Sequence, residues 1–172
     1  SKELNNAKAQ LVEQEQYSRR ECLEKRGVPS KIGEDNDTVV KSIGKLIHVL
    51  VEDSDISISH RLPVPSINPD GDARAAPAII AKFTNRRVRD KFYRQKKKLK
   101  SYTIRDVGLG RYGNEKIYIQ ESLTAKRKKL YKQSLDTQKK LHYKFIWTNY
   151  GSIYLRENEL SPAVKITSYG DL

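Results

Sequence analysis

The sequence predicts an α+β protein: a four-stranded antiparallel sheet carrying two helices, followed by a small α+β C-terminal part and preceded by a short helix. Three observations carry this reading. Apolar periodicity gives the order strand, helix, strand, strand, helix, strand between residues 19 and 122, the split βαβ arrangement. Within residues 77–100, PAIIAKFTNRRVRDKFYRQKKKLK, a period of two switches to a helical period. After residue 123 a second, separate pattern of long helix and hairpin begins. The chain thus divides into 1–18, 19–122 and 123–172, a division that 172 residues can support with cores of ordinary size.

Residues 1–17 are rich in Glu, Gln, Lys, Ala and Asn, with Leu4, Leu11 and Ser18 at seven-residue spacing. Two readings stay open: the end of a coiled coil whose earlier heptads lie upstream, or a helix lying on the domain. Residues 20–28 read as the first strand, stopped by Gly27-Val28-Pro29, although Lys25 falls where Leu23 calls for an inward residue. Acidic residues 34–37 supply a helix N-cap, and Val39, Val40, Ile43, Leu46, Ile47 and Leu50 form an apolar stripe expected in the core, with His48 packed among them. Residues 56–62 alternate as the second strand. A loop over 63–76 follows, with three prolines and an Asp70-Gly71 turn, expected to be mobile.

In the third strand Ile79, Ala81 and Phe83 share one face, leaving Ile80 and Lys82 on the other. The helix from Asn85 docks through Val88, Phe92 and Leu99 and presents cations elsewhere. Residues 101–115 contain GLGRYG, which spells a dinucleotide fingerprint but precedes a strand-like IYIQ rather than a helix, so a loop or hairpin is expected. Thr124 caps a long helix with Leu130, Leu135, Leu141 and Phe145 toward one side. A hairpin turns at Asn149-Tyr150-Gly151, and a short strand lies near residues 163–167.

Charge is distributed unevenly. The formal net charge of +13 divides into −2 over residues 1–81 and +15 over residues 82–172, and residues 82–100 alone hold ten Lys and Arg against Asp90. Such density repels itself and suits a polyanion, with nucleic acid ahead of an acidic protein or an anionic membrane surface. The single Cys22 excludes an intramolecular disulfide, and no Cys/His spacing fits zinc. No Ser, His and Asp set or paired carboxylates stands out, so the expectation is a binding protein without catalytic residues, cofactor or metal. No apolar run spans a bilayer. A chain with no Met at all is expected to be a piece of a longer protein.

Taken together, YSRRECLEKRGVP, ISHRLP, the 77–100 segment, IYIQESLTAKRKKLYKQ and IWTNYGSIYL resemble the first open-reading-frame protein of LINE-type retrotransposons and the few-polyhedra protein family of baculoviruses. The resemblance runs through most of the chain in the family's order. It implies an RNA-recognition-like (RRM-like) domain, a basic C-terminal domain, and an upstream coiled coil that trimerises the mammalian members. It also implies binding of single-stranded RNA, with single-stranded DNA second, as a nucleic-acid chaperone in a cytoplasmic ribonucleoprotein that also reaches the nucleus.

By the same resemblance, Arg61 and Arg74 flank the loop that reaches for RNA, Lys82 is the cation of the third strand, and Lys97 lies on the second helix. Arg127 and Lys128 open the C-terminal helix, and Arg19 and Arg20 lead into the first strand. Lys25 and the arginine-poor loop depart from the family pattern. Arg86, Arg89 and Lys98 are added from the cationic helix itself. The outward positions Cys22, Glu24, Ile80 and Lys82 are not aromatic, so stacking of bases on that sheet should be poor and phosphate contacts should dominate. Tyr102, Tyr112 and Tyr150 are candidates for stacking, each also readable as an ordinary buried or exposed tyrosine.

Overall fold

The computed structural model describes residues 1–63, 76–108 and 115–172. It consists of two compact units: Glu21–Gln120, and a discontinuous one made of Ser1–Arg20 with Glu121–Leu172. No helix among the described residues is long and apolar enough to cross a membrane.

The first unit carries β1 (Cys22–Arg26), α2 (Asn36–Leu46), β2 (Ile56–Arg61), β3 (Ile79–Phe83), α3 (Arg86–Arg94) and β4 (Tyr118–Glu121), with α1 (Lys2–Ser18) preceding it in the chain. The sheet order is β2-β3-β1-β4, the order a split βαβ pair requires. Asp35 caps α2 by accepting from Asp37 N, and Asn85 caps α3 by accepting from Arg87 N. Both helices lie on the sheet face built by Leu23, Ile79, Ala81 and Phe83. Val40, Ile43, Phe92 and Leu99 close the core, and the Phe83 and Phe92 rings meet at 5.6 Å.

Register decides the faces. Because paired residues of an antiparallel ladder point the same way, Arg61, Ile79 and Lys25 form one inward row, and Ile58, Lys82 and Cys22 form one outward row. Simple alternation would put Ile56 and Ile58 together, but a register shift between them turns Ile56 into the core and leaves Ile58 exposed. Lys25 is the other departure. It is fully buried, its Nζ donates to the Leu23 carbonyl at 3.2 Å, and it sits 5.0 and 5.2 Å from the Phe83 and Phe92 ring centres.

Two expectations about the core fail for local reasons. Helix α2 stops at Leu46, and His48, at φ 59°, takes the left-handed conformation outside the helix and is exposed. That reversal throws Leu50 into solvent while returning Val49 and Val51 to the core. Glu24, expected outward, does face away from the helices but is 1 % exposed, covered in part by its ion pair with Arg26 at 2.9 Å. The loop with its Asp70-Gly71 turn lies outside the described residues, as does most of GLGRYG; Gly108, at its start, ends a short turn over Ile104–Val107 with φ 70°.

The second unit holds α1, α4 (Ala125–Leu141), β5 (Phe145–Asn149), β6 (Ser152–Arg156) and β7 (Val164–Ile166), the three strands forming a sheet in that order. Leu130 of α4 packs on Ile153, Leu155 and Ile166. Leu141, expected on that side, is exposed, and Phe145 belongs to β5 because His142 in the left-handed conformation ends the helix. The hairpin turns through Tyr150 and Gly151, both at positive φ, and the buried carboxylate of Glu121 accepts from their two amides at 2.8 and 3.2 Å. Leu4 and Leu11 of α1 are exposed, whereas Gln16 is buried. The Gln16 amide donates to Ser122 O at 2.9 Å and accepts from Thr124 N at 3.0 Å.

Candidate nucleic-acid interface

The cations named from the sequence separate into those held inside a unit and those that meet solvent. Arg61 is held inside. Its inward row places it under the end of α2, where Nε and Nη2 donate to the Glu34 carboxylate at 2.7 and 2.9 Å, Nη1 to Val28 O and Pro77 O, and Nη2 to Pro29 O. All five guanidinium N–H groups are thereby used, so none is left for phosphate. The same hydrogen bonds hold the Glu34 carboxyl below the usual range. Arg127 is similarly occupied: it donates to Gly151 O at 2.7 Å and pairs with Glu13. Arg89, on the core side of α3, is 2 % exposed, lies over the Tyr93 ring and bonds Asp90 at 3.2 Å. These three were expected at an RNA surface, and their burial and hydrogen bonds assign them to holding the fold together.

Arg19 and Arg20 are half-buried at the end of α1. Arg19 bonds Glu15 and Ser122, and Arg20 stacks 3.8 Å above the Tyr17 ring. Arg74 lies outside the described residues, as does Tyr112. Lys82, Arg86, Lys97 and Lys128 are exposed and Lys98 is half-buried. Within the first unit Lys82 and the cations of α3 lie on opposite sides, for Lys82 stands on the outward side of the sheet and α3 covers the inward side.

Sequence reasoning missed the most regular cationic feature. Arg87, Lys91 and Arg94, at i, i+4 and i+7, form one exposed stripe along α3, opposite Phe92. No ion pair or hydrogen bond holds these three side chains among the described residues. The signal was in the sequence, since any helix that docks by Val88 and Phe92 must turn those three positions outward. Electrostatics make the arrangement costly. The first turn of α3 carries Arg86 and Arg87 with no acid, at the end where the helix dipole already favours anions. Helix α4 repeats this, with Lys126, Arg127 and Lys128 in its first turns and again no acid. Lys129 and Lys132 extend the exposed charge along α4.

Tyr118, on β4, is 59 % exposed, an aromatic of the kind that the outward positions of β1 and β3 lack. Tyr150 stands at the hairpin turn, partly exposed, while Tyr102 is half-buried with its carbonyl beside Lys116 Nζ at 3.3 Å. Among the described residues no three His, Cys, Asp or Glu side chains group as metal-ion ligands.

Comparison with known families concerns the second unit. Residues 124–172 match the model of Baculovirus FP protein domain 2. The match begins at the Thr124 cap of α4 and runs through the three-stranded sheet, so this helix-plus-hairpin part is similar to that viral domain. No curated protein matches the chain.

Proposed function

We propose that the chain binds single-stranded nucleic acid, RNA foremost, through phosphate contacts, as a chaperone in a ribonucleoprotein of retroelement type. The observation that carries the reading is the pair of helices whose first turns are cationic without acids and whose exposed stripes continue that charge. Cations at a helix N-terminus and at i, i+4 of one another lower stability, and a bound phosphate chain offsets both penalties. The similarity of residues 124–172 to the baculovirus domain supports the family resemblance of the C-terminal part, from which this reading takes its function. The likeness to LINE-type proteins, a cytoplasmic setting and trimerisation through an upstream coiled coil are parts of the proposal that rest on sequence resemblance.

Arg87, Lys91 and Arg94, with Lys82, Lys97 and Lys128, are the side chains we assign to phosphate. Replacing any one by Ala should weaken binding to two unrelated RNA sequences by similar factors. It should also lower the slope of log affinity against log salt by about 0.7, the counterion share of one contact on a single strand. Fluorescence anisotropy across a salt series, with duplex and an acidic polypeptide in parallel, reads both. Unchanged affinity in all six variants would refute the surface, and preference for the acidic polypeptide would transfer it to a protein partner.

A further inference from the structure

The second unit has a sheet face its core does not use. Ile153, Leu155 and Ile166 point toward α4, so the cross-strand neighbours Trp147, Tyr154 and Lys165 form a row on the opposite face, with Phe145 and Arg156 as the next row. Trp147 and Tyr154 are stacked, centroids 5.5 Å apart and planes 15° from parallel. Both are only half-buried, and Lys165 beside Tyr154 is exposed. At the Phe145 end the ring lies near Lys144 and Arg156, at 5.4 and 6.0 Å. Those cations are occupied: Lys144 pairs with Glu159, and Arg156 donates to Ser161 O at 2.8 Å and to Glu159 O. The open end of the face is therefore the Trp147-Tyr154-Lys165 row.

We infer that this row is a stacking subsite for a base of single-stranded nucleic acid, with Lys165 taking the adjacent phosphate; the inference rests on the function proposed above. Cross-strand pairing accounts for the contact between the two rings, but it does not call for indole and phenol rather than aliphatic side chains on a face that stays wet. A π-surface beside an exposed ammonium is the combination that holds a base and its phosphate without reading sequence. Glu159 is nearby, but its carboxyl is held below the usual range by Lys144 and its charge is matched there, which leaves the Lys165 side as the approach for an anion.

Trp147 is the only tryptophan in the chain, so its emission reports this row alone. The test titrates the full chain with labelled oligo-U, oligo-dT and an abasic oligodeoxynucleotide of equal length, following label anisotropy and tryptophan emission together. The expected result is saturable quenching by oligo-U and oligo-dT at the concentrations where anisotropy rises, and none with the abasic strand. Tyr154→Leu and Trp147→Leu should each weaken binding about 5- to 150-fold, the range for losing one stacked base, and Trp147→Phe should restore most of it. Lys165→Ala, at an exposed position, should weaken binding with the fold intact. Anisotropy that rises while Trp147 stays unquenched, or quenching equal with the abasic strand, overturns this subsite and leaves the phosphate surface standing. No rise with any strand overturns both.

Discussion

Substituting Lys25 by Met should raise the stability of the first unit, and the gain should depend on pH. Burial pushes the Lys25 ammonium down from its ordinary 10.5 to about 7; Cys22 and Glu24 partly oppose the fall, and Arg89 adds to it. Because the folded value lies below the unfolded one, the unfolded chain binds more protons between about pH 7 and 10, and stability rises with pH through that window. Below it the fold carries the full penalty of a buried cation. At about 1.4 kcal/mol per tenfold change in acidity, that penalty is on the order of 3 to 5 kcal/mol. Methionine keeps the length of the stem and removes the charge. Urea unfolding at pH 6, 8 and 10 should therefore show the variant well above the parent at pH 6 and nearly level with it at pH 10. Parallel curves for the two proteins across that range, or a variant less stable at pH 6, would refute the reasoning.

Three further outcomes follow from the same packing. Arg61→Ala leaves the Glu34 carboxylate and three carbonyls without their donor and should cost about 3 kcal/mol or more by thermal unfolding, with Arg61→Lys unable to replace five N–H groups. The share due to Glu34, whose carboxyl is held low, is present above its unfolded value and disappears as pH falls through the folded one, so the gap between parent and variant should close in acid. Phe83→Ala should cost about 3 to 5 kcal/mol while Lys82→Ala changes stability by under about 0.5, and equal melting temperatures would mean the faces of β3 are reversed. Gly27, at φ 87°, has the Lys116 carbonyl oxygen where a Cβ would go, so Gly27→Ala should lower the melting temperature by several degrees; an unchanged midpoint would contradict that close approach.

The strand and helix around residues 79–94 could be read from the sequence because each signal there is local: alternation at Ile79, Ala81 and Phe83, an Asn cap, and docking residues at helical spacing. The hairpin at Tyr150-Gly151 was legible for the same reason. What escaped depends on residues far apart in the chain. The bulge in β2 inverts Ile56 and Ile58 and fixes which side Arg61 takes, and no window of β2 alone encodes it. Gln16 reads as one more polar residue of α1 until Ser122 and Thr124, more than a hundred positions later, supply its partners. Of the candidate site, the cationic helix was visible as charge density. Which guanidinium groups face solvent and which are spent on carbonyls was not, because an arginine committed to five internal bonds looks the same in one dimension as an arginine awaiting phosphate.

The discontinuity of the second unit bears on how the chain comes to be folded at all. Residues 21–120 are an insertion whose two ends run in adjacent strands, β1 and β4, so its closure needs nothing synthesised after residue 120. Helix α1 emerges before it, yet Gln16 has no partner until the segment around Ser122 and Thr124 leaves the ribosome. Throughout that interval α1 lacks the two long-range hydrogen bonds that bury its Gln16 side chain. Residues 121–172 therefore complete a unit to which residues 1–20 also belong, and deleting either segment removes part of the same folding unit.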